Sequence, residues 1–298
     1  MEQVIFLDYY HPYAGLCNQL YLVTNHLHDS IKQNTKIYIN KVNIDIFKKN
    51  RIPAEDFFDL QKTNSNLKKL IGWEPILFEK PTDNFIITKL CIYPVSSIEI
   101  LSCLEFQNRF TSLVPKMKYN GIHFRLELDP IIHYLFSTTC YNDFMDRCNN
   151  STLDPKFTNR FVKLPEVKRY IDNLLEQYFN FINKIGFGLT FFISTSIGKN
   201  NINDCLKPTL KRLTDFIQSN GTYFQNIDYF THRELNALVD LITLRNSEKM
   251  IVFEGSSFSE GYCLKVNSNK EYHVIYGITD KLPDELYKSL SDDTVLCK

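Results

Sequence analysis

Three short stretches carry side chains whose types and spacing could do chemistry. In Ala14-Gly15-Leu16-Cys17-Asn18-Gln19 a glycine precedes two amide side chains where a helical pattern begins. Glycine lets a ligand approach the backbone closely, and Asn18 and Gln19 can donate and accept hydrogen bonds at a helix N-terminus. A tight turn at Gly15 with Asn18 as a helix cap accounts for the same residues. In the second stretch, Gly121-Ile122-His123-Phe124-Arg125-Leu126-Glu127-Leu128-Asp129, apolar and polar residues alternate strictly. As a strand it puts His123, Arg125, Glu127 and Asp129 on one face. Arg125 then suits a diphosphate, because its planar fork pairs two oxygens at once and keeps its charge. A half-solvated strand whose charges pair with one another is the alternative. The third stretch runs from an apolar strand into Glu254-Gly255-Ser256-Ser257-Phe258-Ser259. A helix starting after Gly255 would offer free N–H groups and the hydroxyls of Ser256, Ser257 and Ser259 to an anion. A serine-capped turn without a ligand is the other reading.

These stretches need elements to position them. Val4 to Leu7 reads as a strand, followed by a polar turn, a helix and a second strand at Lys36 to Ile39. Leu20, Val23, Leu27 and Ile31 fall on one helical face, so the opening is a βαβ unit and a parallel sheet is expected. Helices at Ala54 to Asp59, Ser65 to Ile71 and Ser96 to Leu113 and strands at Ile76 to Phe78 and Phe85 to Ile92 complete a first domain, 1–115. The pattern breaks near Val114-Pro115-Lys116 and a second α/β series, 116–298, begins. Its strands are Gly121 to Leu126, Leu189 to Ser194, Thr222 to Gln225, Lys249 to Phe253 and Tyr272 to Tyr276. Its helices are Pro165 to Ile185, Cys205 to Asn220 and Arg233 to Asn246. Pro165 fits a first helical turn and Gly221 a helix end. Asp129 to Leu164 reads as loops and short helices, with Tyr134, Phe136, Tyr141 and Phe144 divided between core and contacts to a ligand. The expected fold class is α/β, two parallel-sheet domains facing a cleft, with ligands beyond the carboxyl ends of the strands.

Composition narrows the partners. The 298 residues are 44% hydrophobic, and 34 Lys plus Arg balance 34 Asp plus Glu. Disorder is excluded, and nothing in the balance points to nucleic acid or a membrane surface. No apolar run approaches the ~18 residues of a membrane span. Eight cysteines without a Cys-x-x-Cys pair read as reduced thiols of a cytoplasmic protein. Asn-x-Ser/Thr sequons at Asn149, Asn150 and Asn220 leave a secretory location open if a leader is missing. There is no His-Glu-x-x-His, no Gly-x-Gly-x-x-Gly and no Asp-x-Asp, so no metal ligands and no cofactor are expected. His26 and His28 read as surface residues; His133, His232 and His273 have no partner pattern.

In this order, the motifs resemble the GDP-fucose fucosyltransferases of the protein O-fucosyltransferase, α1,6- and α1,2-fucosyltransferase clan. Gly15-Leu16-Cys17-Asn18-Gln19 is similar to the clan's Gly-x-x-Asn-Gln signature, His123-x-Arg125 to its His-x-Arg motif, and Ser256-Ser257-Phe258-Ser259 to its C-terminal serine motif. Ala237-Leu238-Val239-Asp240-Leu241 resembles the segment whose Asp reads guanine. Cys17 stands where the clan often has Gly or Asn, and Leu126 replaces the second Arg of a His-x-Arg-Arg variant. The resemblance implies a GT-B fold of two Rossmann-like domains and metal-free, inverting transfer of fucose from GDP-fucose to a glycan or protein hydroxyl. It implies Arg125 and Asn18 as catalytic, and Gly15, Gln19, His123, Asp240, Ser256, Ser257, Phe258 and Ser259 as substrate-binding. Asp8, His11, Glu127 and Asp129 are candidates for a general base. A GT-B transferase for another nucleotide sugar and a catalytically silent nucleotide- or carbohydrate-binding homologue are the alternatives.

Overall fold

The structure, a computed structural model, describes residues 4–8, 15–45, 50–82, 85–87, 97–150, 152–199, 201–266, 269–277 and 280–290. The chain divides into two compact units. The first holds residues 1–117, 226–246 and 256–269; the second holds 118–225, 247–255 and 270–298. The break after residue 117 lies close to the expected one. Two segments of the expected second domain, 116–298, group with the first unit in this division.

In the first unit, β1 (Val4–Asp8), β2 (Lys36–Asp45), β3 (Asn50–Pro53) and β4 (Phe85–Ile87) form a sheet in the order β3-β2-β1-β4. β1 runs parallel to β2 and β4, and β3 is an antiparallel edge. Helix α1 (Leu16–Lys32) connects β1 to β2, as a parallel crossover requires. Its buried residues include Leu20, Val23 and Leu27, and also His26, which is 2% exposed. The surface reading of His26 is therefore wrong: α1 is covered on most sides, and burial lowers the imidazole's pKa so that it stays neutral. Ile76 makes a single parallel bridge to Ile37 rather than a strand. Residues 88–92 of the expected fourth strand lie outside the described residues. Helices α2 (Ala54–Phe57), α3 (Leu60–Ile71), α4 (Ile98–Ser102) and α5 (Asn108–Thr111) complete the N-terminal part, the last two splitting the helix expected over 96–113.

The second unit carries an all-parallel sheet of β5 (Asn120–His123), β6 (Thr190–Ser194), β7 (Thr222–Phe224), β8 (Met250–Phe253) and β9 (Tyr272–Ile275). Their order is β7-β6-β5-β8-β9. The chain builds outward from β5 on one side, then returns to its other side at β8, so the order reverses between β5 and β8. Between β5 and β6 the expected stretch of loops and short helices holds three helices, α6 (Leu128–Leu135), α7 (Thr138–Asn149) and α8 (Pro155–Phe161), before α9 (Pro165–Ile185). Phe136, Phe144, Phe157 and Phe161 from this stretch are buried in the core, whereas Tyr134 and Tyr141 are half-buried. Val167, Tyr170, Ile171, Leu174, Tyr178 and Ile182 line the buried stripe of α9 at helical spacing. A 3₁₀ turn (Asn201–Leu206) leads into α10 (Lys207–Gln218), and α11 (Arg233–Asn246) crosses to the first unit. A π-helical turn (Ser257–Leu264) follows β8, and α12 (Asp284–Ser289) lies near the C-terminus.

Candidate functional site

The expected strand over 121–126 stops at His123. Phe124 keeps one more parallel bond to the Ser194 carbonyl, and the chain then turns into α6 with Glu127 at its N-cap. The alternating pattern is not a half-solvated strand: Phe124, Leu126, Glu127 and Leu128 are all buried. Pro130, in the first turn of α6, needs no donor there, which explains why the helix starts where it does.

One side chain braces this turn. The Tyr178 hydroxyl, from α9, donates to the His123 carbonyl at 2.8 Å and accepts from the Arg125 N–H at 3.3 Å. Tyr178 is fully buried, with its ring edge-on to Phe124 at 5.0 Å between centroids. Burial pushes its phenol pKa far up, so the hydroxyl stays protonated. The Arg125 side chain emerges from the braced turn about a third exposed, with Nη2 3.8 Å from the Asp129 carboxylate. Burial alone would lower its pKa, but Asp129 and Glu127 outweigh that and strengthen the guanidinium's hold on its proton. His123 is 5% exposed, and burial together with Arg125 holds its pKa well below the ordinary range. Its imidazole is neutral, so beside a ligand it offers hydrogen bonds and no charge.

Arg125 follows β5 and Glu254-Gly255 follows β8, so both lie at the carboxyl ends of the two strands between which the sheet order reverses. In open parallel sheets that reversal is where ligands bind. Gly255 has φ +67°, and a Cβ there would sit 3.2 Å from the Tyr134 hydroxyl, which itself donates to the Glu254 carbonyl at 2.8 Å. Glycine is needed for both reasons.

The remaining expected residues belong to the first unit. Gly15 is the N-cap of α1, and the N–H of Leu16 donates to the Glu234 carboxylate of α11 at 2.7 Å. Gly15 has φ −62°, and a Cβ there would meet nothing within 4 Å, so the fold itself does not demand glycine. Asn18, on the first turn of α1, is half-buried. Gln19 is 2% exposed, and its amide clamps β2 by donating to the Asn43 carbonyl at 2.9 Å and accepting the Asn43 N–H at 3.1 Å. That clamp is a structural use of the Gln19 amide.

Asp240 lies on α11 and is 5% exposed. The Ser256 hydroxyl caps the π-helical turn by accepting the Ser259 N–H at 3.3 Å. Ser259 is fully buried, which leaves half-buried Ser257 and Phe258 as the accessible side chains of the serine motif. The Tyr21 hydroxyl of α1 donates to the Ser257 carbonyl at 2.9 Å, and a Cβ on Gly261 would overlap that hydroxyl. Thus α1, α11 and the π-helical turn form one packed group carrying Gly15, Asn18, Asp240 and the serines, while His123 and Arg125 stand in the second unit. Sequence reasoning missed Tyr178 and Glu234. The available signals were a tyrosine on a buried helix stripe, whose hydroxyl must find a partner, and an acidic residue in the first turn of the helix over 233–246.

Among the described residues no three His, Cys, Asp or Glu side chains are grouped to hold a metal ion, and no helix is long and apolar enough to cross a membrane. Cys103, Cys140, Cys148 and Cys205 are free thiols. The side chain of Asp8 and all of His11 lie outside the described residues.

No protein-family model and no curated protein sequence matches the chain. The crystal structure of POFUT1 in complex with GDP is similar over 92% of this chain and 98% of that one, with a TM-score of 0.52 and 10% sequence identity. At that identity the likeness is one of fold: the chain has the α/β architecture of the GDP-bound POFUT1 structure.

Proposed function

We propose that the chain is a metal-independent, inverting fucosyltransferase of GT-B type that moves fucose from GDP-fucose to a hydroxyl of a glycan or protein. The observation that carries this reading is the placement of Arg125 by Tyr178 at the reversal of the parallel sheet. A guanidinium presented there pairs with the donor's diphosphate. The fold shared with a protein solved in complex with GDP, and the ordered motifs, support the same ligand.

In this reading departure of GDP from the anomeric carbon builds negative charge on the β-phosphate. Fixed donors offset that charge without reorganising, and Arg125 is the strongest of them because its charge does not titrate away. The open space at Gly15 and the amide of Asn18 receive the sugar, because the first N–H of α1 is already held by the Glu234 carboxylate. Asp240 accepts two hydrogen bonds from guanine, through N1–H and the N2 amine, which adenine and pyrimidines cannot supply together. Neutral His123 supports the turn and adds no charge that would favour the ground state. The acceptor is a glycan or protein hydroxyl.

Thermal-shift titration with GDP, UDP and ADP, followed by assay of fucose transfer to glycan and peptide arrays and of slow GDP-fucose hydrolysis, tests this reading. Preferential stabilisation by GDP with turnover is expected. Preference for UDP or ADP points to another nucleotide sugar, and GDP stabilisation without transfer or hydrolysis points to a binding protein.

A further inference from the structure

We propose that Glu127 takes up a proton when a diphosphate binds Arg125, so that donor binding is coupled to protonation of this buried carboxylate. The inference rests on the reading of Arg125 as the phosphate ligand.

Glu127 is 5% exposed, and its two oxygens live in different surroundings. Oε1 accepts from the Ser196 N–H at 3.0 Å and from the Ser196 hydroxyl at 3.1 Å. Asn203 stands behind this contact, with its Nδ2 3.4 Å from the Ser196 hydroxyl and its Oδ1 accepting the Leu128 N–H at 3.0 Å. The carboxyl group is thereby held in place and cannot swing to solvent. Oε2 is buried with no hydrogen-bond partner. A buried carboxylate with an unsatisfied oxygen is unfavourable unless a nearby positive charge compensates it.

That charge is Arg125, which Asp129 also shares from 3.8 Å. Tyr178 of α9 also faces Glu127, and it stays protonated. Burial raises the carboxyl's pKa, Arg125 opposes the rise and Asp129 adds to it. A diphosphate on Arg125 cancels the opposing charge and brings its own negative charge. Oε2 then binds a proton from solvent, giving the neutral acid; no bond to the ligand forms or breaks. Because the bound state holds the extra proton, affinity falls as pH rises through the window above the ordinary carboxylate range. At its steepest the loss is about tenfold per pH unit for one proton. His123 and His133 also feel Arg125, and uptake on either histidine would persist in Glu127→Gln.

Isothermal titration of GDP-fucose in buffers of different ionisation enthalpy, between about pH 5 and pH 8, measures the coupling. The donor's phosphodiester groups stay ionised throughout and contribute no proton. Uptake approaching one proton per molecule bound is expected in the wild type and in His133→Asn, and none in Glu127→Gln. Ser196→Ala, which removes one hydrogen bond from the ionised oxygen, should move the window to higher pH and decides the matter if Glu127→Gln does not fold. Binding without proton uptake, uptake that persists in Glu127→Gln, or an unmoved window in Ser196→Ala overturns the coupling and leaves the donor reading standing. Absence of GDP-fucose binding overturns both.

Discussion

The carboxylate of Glu234, on α11, accepts the N–H of Leu16 at the first turn of α1, 218 residues away in sequence, at 2.7 Å. The helix N-terminus that a ligand anion would be expected to seek is therefore already supplied with a carboxylate from within the fold. This contact is one of those by which 226–246 packs with the first unit, beside Phe230 against Phe110. Glu234→Ala should leave a buried N–H unsatisfied and cost about 1–3 kcal/mol of stability. Urea denaturation checks this; an unchanged midpoint would mean that the contact holds nothing together.

Gln19 behaves in the same structural way. Gln19→Ala breaks both hydrogen bonds to the Asn43 backbone and should lower stability by about 2 kcal/mol, while the folded protein keeps its affinity for GDP. Thermal denaturation paired with a GDP titration separates the two effects, and lost affinity at full stability would restore Gln19 to the binding residues.

Two glycines should respond in opposite ways. Gly15→Ala fits the backbone and the space, so stability should change by less than about 0.5 kcal/mol while turnover of GDP-fucose falls. Gly261→Ala presses on the Tyr21 hydroxyl and should destabilise by about 1–3 kcal/mol. Denaturation curves and initial rates on both variants provide the check; full activity of Gly15→Ala would show that nothing approaches that surface.

Tyr178→Phe removes the hydroxyl that ties His123 to Arg125 and keeps the ring against Phe124. The expected loss is about 1–2 kcal/mol of stability, with GDP binding weakened roughly fivefold because Arg125 is less well placed. Equal GDP affinity in the two proteins would show that the brace serves the fold alone.

Much of the scaffold was legible in the sequence because its signals are local. The bounds expected for α9 and α11, with Pro165 at a first turn, coincide with their observed ends. All five strands of the second sheet fall within the predicted stretches, allowing for a residue at the ends. The short helices expected between 129 and 164 could not be given bounds, because they are aromatic-rich and their stability comes from packing Phe136, Phe144 and Phe157 into the core. Polar alternation at 121–129 imitated a strand, although Pro130 was a local sign of a helix start. The exchange of 226–246 and 256–269 between units was not legible at all. It depends on contacts such as Leu16 with Glu234 and Tyr21 with Ser257, which no local pattern records. Among the candidate residues, Arg125 was singled out as a candidate by its chemistry. The commitments of Gln19 and Ser259 inside the fold depend on partners that only the structure identifies.

The most direct measurement is the affinity of GDP for Arg125→Ala, alongside Arg125→Lys and the wild type, by calorimetry. Removing the guanidinium leaves the diphosphate without its charge partner, and the expected weakening is about 3 kcal/mol, roughly a hundredfold. Lysine should recover little of it, because a point charge cannot replace the two-pronged contact. Undiminished GDP affinity in Arg125→Ala, with the fold intact, would contradict the account.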